Sequence, residues 1–251
     1  MRSQKFIVRK ITLELFLIRH AESTNNARKN DAERVADPEL TQNGLLQIEY
    51  LALFLKKGLH LTRLERETNH KVLDQLYCSA TLRALQTAFP IGLSTGLKPE
   101  VWLDIHEVGG LYDHNSVEMN KIGFSGLNRV EINKRFPGYI LPPDITDRGW
   151  WNKEKEKQLA SQKRVQRVIQ ILVERAEEKA RIGMVTHGAF MSLFLSKLFK
   201  LLPIKNTTFQ HYNSSISRIT FEKKDIIVIQ YLNSFEYLPE NLRIPRTTFD
   251  I

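Results

Sequence analysis

Four short apolar runs, each followed directly by a polar loop, constrain the fold of this 251-residue chain more than any other feature of its sequence. The runs lie at residues 13–18, 73–78, 101–105 and 182–186. Their length and composition are typical of buried strands, and helical patterns of apolar residues stand between them. Strands that alternate with helices build a mostly parallel central sheet covered by helices on both faces. The sequence therefore predicts a three-layer α/β fold.

The remaining elements complete this pattern. Helices are predicted at 41–57, 81–93, 158–180 and 188–201. The first of these should begin at Thr41, because threonine is a favoured N-cap residue. Two further strands, 215–222 and 226–233 with a turn at 223–225, should add an antiparallel edge to the sheet, and 238–251 should form an arm along the surface.

We expect residues 1–251 to form a single domain, which this length allows. The least regular part is the connection 109–157, which is rich in glycine and proline and holds a short predicted helix near 128–136. Connections of this length are usually functional when they are ordered. One interpretation is a lid or substrate-specificity insertion over the crevice beyond the strands. The other is a packed surface excursion in which Trp150 and Trp151 cover the domain.

Composition agrees with a globular protein, since 42% of the residues are hydrophobic and 26% are charged. The one cysteine, Cys78, excludes an internal disulfide, suits a reducing compartment and should be a buried thiol in a strand. The basic N-terminus resembles a signal peptide, but Glu14 interrupts its apolar run and Arg19 and His20 end it. No stretch is long and apolar enough to span a membrane. We expect a cytoplasmic protein.

The formal net charge of +9 favours anionic partners. No nucleic-acid-binding motif accompanies the charge, and lysine and arginine are spread along the chain. A phosphorylated substrate explains the basic balance equally well. We therefore expect no nucleic-acid partner, and strong salt-dependent retention on DNA or RNA without phosphatase activity would favour the opposite interpretation.

Each of the four polar loops carries a side chain suited to phosphate chemistry: Arg19 and His20, Arg83, Glu107 and His187. In open α/β sheets, ligands bind beyond the carboxyl ends of the strands, so we expect these loops to converge. A guanidinium group holds phosphate or carboxylate through a planar fork of donors. An imidazole can attack an electrophile and carry it covalently. The loops together predict an anion-binding site with a histidine nucleophile.

The motifs around these residues resemble those of the histidine phosphatase superfamily, in the branch that includes cofactor-dependent phosphoglycerate mutases and broad phosphatases. Its opening motif is matched by Arg19, His20, Ser23 and Asn26, with Ala21 in place of the usual glycine. Further matches are Leu40, Thr41, Gly44 and Gln47, then Ser79, Arg83, Thr87 and Ala88, and finally Thr186, His187 and Gly188. Four motifs in the family order make the resemblance specific.

The resemblance implies a phosphoglycerate mutase-like fold and hydrolysis of phosphomonoesters without a metal or cofactor. In that family scheme His20 becomes a phosphohistidine. The residues expected to bind the phosphate are Arg19, Asn26, Arg83, His187 and Gly188. Glu107 is the expected acid and base, with Asp104 and His106 within reach in sequence. The substrate would be a phosphorylated small molecule or a phosphoprotein.

Two alternatives stay open. Phosphoglycerate mutases carry a Glu-Arg-His-Tyr-Gly block around the acid and a Gly-Trp loop after the first motif. Here 105–111 lacks that arginine and tyrosine, and 30–38 has no tryptophan, which favours hydrolysis over transfer. The second alternative is a non-catalytic phospholigand-binding protein on the same scaffold. The other histidines show no metal-site spacing.

Overall fold

The computed structural model describes residues 12–68, 71–112, 124–199, 208–223 and 226–243. Its strands are β1 (Leu13–Arg19), β2 (Gln75–Cys78), β3 (Glu100–Val101), β4 (Arg181–Thr186), β5 (Ile216–Lys223) and β6 (Ile226–Ser234). Its α-helices are α1 (Thr24–Ala27), α2 (Gln42–Lys56), α3 (Arg63–Thr68), α4 (Leu82–Thr95), α5 (Arg129–Arg135), α6 (Gln158–Glu174) and α7 (Gly188–Leu198). Short 3₁₀ helices lie at Asp31–Glu33, Leu103–Ile105 and Glu240–Leu242.

The six strands form one mixed sheet in the order β3-β2-β4-β1-β5-β6. The first four strands of the chain are parallel, whereas β5 is antiparallel to β1 and β6 is antiparallel to β5. The predicted α/β class with an antiparallel edge is therefore confirmed. The register pairs Arg19 with Thr186 at the carboxyl ends of β1 and β4. The residues that follow, His20 and His187, consequently leave the sheet side by side.

The two faces of the sheet are buried under different helices. Phe16 and Ile18 of β1 pack in one apolar core with residues of α2 and α4. Leu15 and Leu17 point the other way and pack in a second core with residues of α6 and α7. This alternation is the period-two pattern of a strand that is buried on both sides. Each fully buried leucine, isoleucine or phenylalanine stabilises the fold by about 1.5–3 kcal/mol.

Two predicted elements differ from the structure. The predicted strand 101–105 is only the two-residue β3 followed by a 3₁₀ helix, because β3 pairs with β2 and with the backbone at Ile140 only as far as Val101, and the chain then bends. Ile105 is fully buried in the α6–α7 core, so its apolar character reflects burial and not strand pairing. The predicted helix 158–180 ends at Glu174, and Ala176 lies in a turn after it. Ala176 is buried in the same core, which explains why the apolar pattern continues beyond the helix.

Other expectations are confirmed or fall outside the described residues. Thr41 is the N-cap of α2, and its hydroxyl accepts a hydrogen bond from the Gly44 amide at 3.0 Å. Helix α5 confirms the short helix in the long connection, and Cys78 is buried, which raises its pKa. Residues 200–201, 224–225 and 244–251, which include the end of the last predicted helix, the hairpin turn and most of the terminal arm, lie outside the described residues.

The connection 109–157 is described except for 113–123, which lie outside the described residues. Trp150 and Trp151 are buried and belong to the core under α2 and α4. The lid remains a prediction. None of the helices in the described part of the chain has the length and apolar character needed to cross a membrane.

Candidate active site

The parallel strands bring four of the sequence-predicted residues together at one edge of the sheet. Arg19 ends β1, His20 follows it, Arg83 lies in the first turn of α4, and His187 precedes α7. The backbone amide of His20 donates to the carbonyl of Thr186 at 2.9 Å, which joins the first loop to the fourth. The rings of His20 and His187 lie 5.1 Å apart between centroids. Sequence reasoning therefore placed this cluster correctly in space.

His20 is held in one orientation. Its Nδ1 lies 2.7 Å from the carbonyl oxygen of Ala21, which can only accept, so Nδ1 carries the proton and donates it. Nε2 is then the unprotonated nitrogen, and the Nε–H of Arg83 donates to it at 3.2 Å. Burial, Arg83 and Arg19 together hold the pKa of His20 well below its ordinary value. The ring is neutral at neutral pH, with a lone pair at Nε2.

Arg19 is almost fully buried, and its Nη1 donates to the carbonyl of His211 at 2.6 Å. Gly188 packs directly against this guanidinium group. A methyl group on Gly188 would lie 3.3 Å from Nε of Arg19, closer than such contacts usually come. The glycine at the start of α7 is therefore what gives Arg19 its space.

Arg83 is also placed by a residue that sequence reasoning missed. The buried Asp37 accepts the amide of Leu82 at 2.9 Å, and its Oδ1 lies 3.7 Å from Nη1 of Arg83. Burial raises the pKa of Asp37 to about 6, although Arg83 opposes this shift. Asp37 lies in a loop 45 residues before Leu82 and matches no motif quoted above, so no local pattern could have identified it.

His187 lies at the bottom of the site with no exposed surface. Its Nε2 is 2.8 Å from the hydroxyl oxygen of Ser79 and 3.4 Å from that of Thr81. Its Nδ1 is buried with no hydrogen-bond partner in the described part of the chain. Burial, Arg83 and His20 hold the pKa of His187 well below its ordinary value. In this arrangement the ring is neutral, which differs from the protonated donor that the phosphate chemistry would favour.

Asn26 lies in α1, the short helix after the loop that carries His20. Its side-chain oxygen accepts from the amide and hydroxyl of Ser23 at 3.1 and 2.9 Å, and from the Asn213 amide group at 3.2 Å. Asn213 also donates to the carbonyl of His20 at 3.1 Å. The sequence around Asn213 is only a polar turn, so its buried contact with both Asn26 and His20 was not predicted.

Glu107 occupies the loop after the 3₁₀ helix Leu103–Ile105. Its carboxyl group accepts hydrogen bonds from the amides of Phe190 at 2.9 Å, Ala189 at 3.3 Å and Val108 at 2.8 Å. The first two amides belong to the first turn of α7, where backbone donors have no partner within the helix. Glu107 therefore joins the third loop to the helix that follows His187. His106, the other candidate in this loop, turns instead toward Trp151 and Glu156.

A cavity of about 440 Å³ lies beside Leu82, the residue before Arg83. It is lined by Asp37 and by residues 124–128 and 147–149 of the long connection, among others. Among the described residues, no group of three or more histidine, cysteine, aspartate or glutamate side chains could hold a metal ion.

Comparison with known proteins places this geometry in context. The profile of the histidine phosphatase superfamily (branch 1) matches residues 15–234. A search of curated protein sequences found no match. A mutant phosphoserine phosphatase from Entamoeba histolytica, in complex with phosphoserine, is 24% identical with a TM-score of 0.58, covering 90% of this chain and 100% of its own.

Two further solved structures are similar. A putative alpha-ribazole-5'-P phosphatase from Escherichia coli str. K-12 is 20% identical with a TM-score of 0.57, covering 88% of this chain and 96% of its own. The ecdysone phosphate phosphatase from Bombix mori, in complex with tungstate, is 13% identical with a TM-score of 0.57, covering 88% of this chain and 93% of its own. At these identities the likeness shows a shared fold.

Proposed function

Because this chain belongs to branch 1 of the histidine phosphatase superfamily, we propose that it is a phosphomonoester hydrolase that acts through a phosphohistidine on His20. The observation that carries the proposal is the state of His20. With Nδ1 donating to Ala21, the lone pair of Nε2 lies next to Arg83 in a buried, cationic site. A neutral imidazole in that position can attack phosphorus once the Arg83 N–H turns from Nε2 to the phosphate oxygens.

In the first step, Nε2 of His20 forms a bond to phosphorus while the bond from phosphorus to the ester oxygen breaks. The non-bridging oxygens carry the negative charge, and Arg19 and Arg83 lie where they would neutralise it. His187 would donate to the same oxygens, because a dianionic phosphate favours the protonated ring. Asn26 and Gly188 would complete the phosphate pocket, Asn26 through its amide group and Gly188 through the space beside Arg19.

The leaving oxygen takes a proton from Glu107, which then accepts a proton from water in the second step. That water attacks phosphorus, the nitrogen–phosphorus bond breaks, and inorganic phosphate is released. The three backbone amides fix the Glu107 carboxyl group. A carboxylate has about four lone-pair positions, so with three occupied by amides one remains for the proton that Glu107 gives to the leaving oxygen and later takes from water. No step requires a metal or cofactor.

The family also contains mutases, and the comparison structures suggest a substrate class. Structures of the phosphoserine phosphatase from Entamoeba histolytica hold phosphoserine in one case and 3-phosphoglyceric acid in another. We propose that this chain acts on a phosphorylated small molecule whose alcohol part extends toward the long connection, where 109–157 would act as the specificity segment. Hydrolysis is preferred over transfer because the mutase block around Glu107 is absent.

The test is hydrolysis of p-nitrophenyl phosphate by the purified protein in EDTA, beside the His20→Ala variant. We expect metal-independent turnover that falls at least about 10⁴-fold in the variant, because the covalent route is lost. Acid and alkaline quenching of the working enzyme should reveal a phosphoryl group that is stable in alkali and labile in acid. The control is His60→Ala, which removes a histidine that is buried outside this site and should keep its activity below its own unfolding temperature.

Undiminished turnover in His20→Ala would contradict the proposal. If neither protein hydrolyses the ester, isomerisation of phosphoglycerate is tested next. Isomerisation that depends on His20 would establish a mutase. Tight phosphate binding without either reaction would instead establish a phospholigand-binding protein.

A further inference from the structure

Arg164 of α6 makes a buried polar network that the proposed reaction does not use. Its side chain is only 4% exposed. Nε and Nη2 donate to the two carboxylate oxygens of Glu156 at 2.8 and 2.6 Å, which is a bidentate pair. Nη1 donates to the backbone carbonyls of Asp104 at 2.7 Å and His106 at 3.0 Å. One planar guanidinium group thus donates hydrogen bonds to a carboxylate and to two backbone carbonyls.

The backbone groups that Arg164 and Glu156 bind lie on both sides of Glu107 in the sequence. Asp104 and His106 lie before it, and the backbone amide of Glu156 donates to the carbonyl of Gly109, just after it, at 2.9 Å. Between these points the loop turns tightly, since the Gly110 amide donates to the Glu107 carbonyl and both Gly109 and Gly110 have positive φ. The backbone on each side of Glu107 is therefore fixed by Arg164 and Glu156.

The position of the loop determines where the carboxyl group lies. From this turn, Glu107 reaches the amides of Ala189 and Phe190 in the first turn of α7. The hydroxyl of Thr186 adds a bond to the carbonyl of Ile105 at 2.7 Å. A movement of the loop by about 1 Å would break the bonds of Glu107 to α7 and displace it from the phosphate site.

A buried ion pair contributes little net stability to a fold. Removing two charges from water costs free energy that their attraction often fails to recover, so an apolar pair of similar volume would stabilise the fold as well or better. What Arg164 contributes is orientation, because its planar fork of donors fixes the direction of every group that it binds. Lysine carries the same charge but cannot hold the carboxylate and the two carbonyls in that arrangement.

We propose that Arg164 and Glu156 are positioning residues that hold the Glu107 carboxyl group at the start of α7, in the place where the proposed reaction needs its acid. The inference rests on the proposed function for its catalytic consequence. The placement of Glu107 can be measured without catalysis. The experiment therefore has one readout for the position of Glu107 and a second for its chemistry.

The first readout is hydrogen exchange at the amides of Ala189 and Phe190. In the first turn of a helix these amides have no intrahelical acceptor, so their protection depends on Glu107. In Arg164→Met both amides should exchange at least about tenfold faster, as they should in Glu107→Ala, which removes both acceptor oxygens. The matched control is Arg181→Met, since Arg181 makes an equally buried pair with Glu14 at 2.9 Å on β4, outside this loop. That variant should leave the two amides unchanged even if it lowers the unfolding temperature.

The second readout is the dependence of kcat/KM on the leaving group. An alkyl phosphate such as β-glycerophosphate needs a proton on its leaving oxygen far more than p-nitrophenyl phosphate does. Arg164→Met should reduce alkyl phosphate hydrolysis at least about tenfold more than p-nitrophenyl phosphate hydrolysis, with the same selectivity in Glu107→Gln. The double variant should be no more selective than Glu107→Gln, because both changes act through one group. If Arg164→Met does not fold, Arg164→Lys and Glu156→Gln replace it in both measurements.

The two readouts test the positioning role of Arg164 separately from the acid role of Glu107. Unchanged exchange at Ala189 and Phe190 in a folded Arg164 variant would overturn the positioning role, and so would equal changes in Arg181→Met. Faster exchange without any leaving-group selectivity, in either the Arg164 or the Glu107 variant, would keep the positioning role and reject Glu107 as the acid. Loss of activity toward both substrates alike in Arg164→Met, with selectivity intact in Glu107→Gln, would show that Arg164 acts on the site by another route.

Discussion

At the scale of single residues, the site is organised by burial as much as by charge. His20 is neutral because its pKa is lowered, mainly by burial and further by the charges of Arg83 and Arg19. The same two arginines that we propose to bind phosphate therefore also keep the proposed nucleophile, His20, unprotonated. Attack by His20 then needs no prior loss of a proton near neutral pH, and the acid limb of a pH–rate profile should report on other groups.

Ala21, the one departure from the opening family motif, is explained at this scale. The backbone at Ala21 does not adopt a positive φ, so no glycine conformation is required there. Its methyl group is fully buried and packs with Leu40 and Ile48. Alanine is therefore compatible with the loop that carries His20.

Gly188 provides the sharpest prediction for a single residue. In Gly188→Ala the new methyl group would press on the Arg19 guanidinium, which the His211 carbonyl already holds in place. Alanine is otherwise the better helix former by about 1 kcal/mol, so the unfolding temperature should not fall. We expect the Kd of inorganic phosphate to rise on the order of tenfold, measured by isothermal titration calorimetry. Unchanged phosphate affinity would show that the methyl group does not displace the Arg19 guanidinium from a phosphate-binding position.

At the scale of elements, helix α2 supports the nucleophile loop from outside the sheet. The amide of Thr41 donates to the Glu22 carbonyl at 3.0 Å, and the Gln47 side chain accepts the amide of Glu22 at 2.8 Å. Gly44 faces the same carbonyl, and a methyl group there would lie only 2.1 Å from its oxygen. The start of α2 can approach the loop this closely only with glycine at position 44.

Gly44→Ala should therefore reverse the usual stabilising effect of alanine in a helix. Because backbone would meet the new methyl group, we expect a loss of about 1–3 kcal/mol in the free energy of unfolding, measured by urea denaturation. Turnover should also fall, since Glu22 follows His20 by two residues. Leu46→Ala, on the same helix at a position that is 45% exposed, is the control and should change little. Equal effects of the two substitutions would mean that α2 does not approach the loop as described.

At the scale of the whole molecule, the sequence predicted those parts of the site that depend on strand ends. Arg19, His20 and His187 could be placed together because parallel strands end at one edge of a sheet, and β1 and β4 are neighbours. Hydrogen bonds between a side chain and the backbone of a distant segment were not predictable, because no local pattern encodes them. Asp37 with Leu82 and Arg164 with the Glu107 loop are of this kind. The strand predicted at 101–105 was too long for a related reason, because the apolar character of Ile105 reports its burial and not strand pairing.

The pH dependence of stability is a property of the whole fold. The buried histidines determine whether stability rises or falls as the pH is lowered. Burial is the first cause that lowers the pKa of His60, to about 4, and it likewise lowers the pKa values of His20 and His187. Between these lowered values and the ordinary value near 6.5, the unfolded chain binds more protons than the folded one. Stability is therefore highest above about pH 6.5 and falls as the pH is lowered. Asp37, with its raised pKa of about 6, acts in the opposite direction over part of this range.

His60 allows this dependence to be tested away from the site. Its Nε2 bonds to the Val72 carbonyl at 3.2 Å, and its ring packs against Phe16 at 4.8 Å between centroids. A shift from 6.5 to about 4 corresponds to about 3 kcal/mol of stability lost between pH 6.5 and pH 4. Urea denaturation at several pH values should show this fall in the unaltered protein, and a fall about 3 kcal/mol smaller in His60→Gln, whatever the stability of that variant at pH 7. Parallel pH dependences in the two proteins would mean that His60 is protonated in the folded state as readily as in the unfolded one, and that the acid sensitivity belongs to His20 and His187 instead.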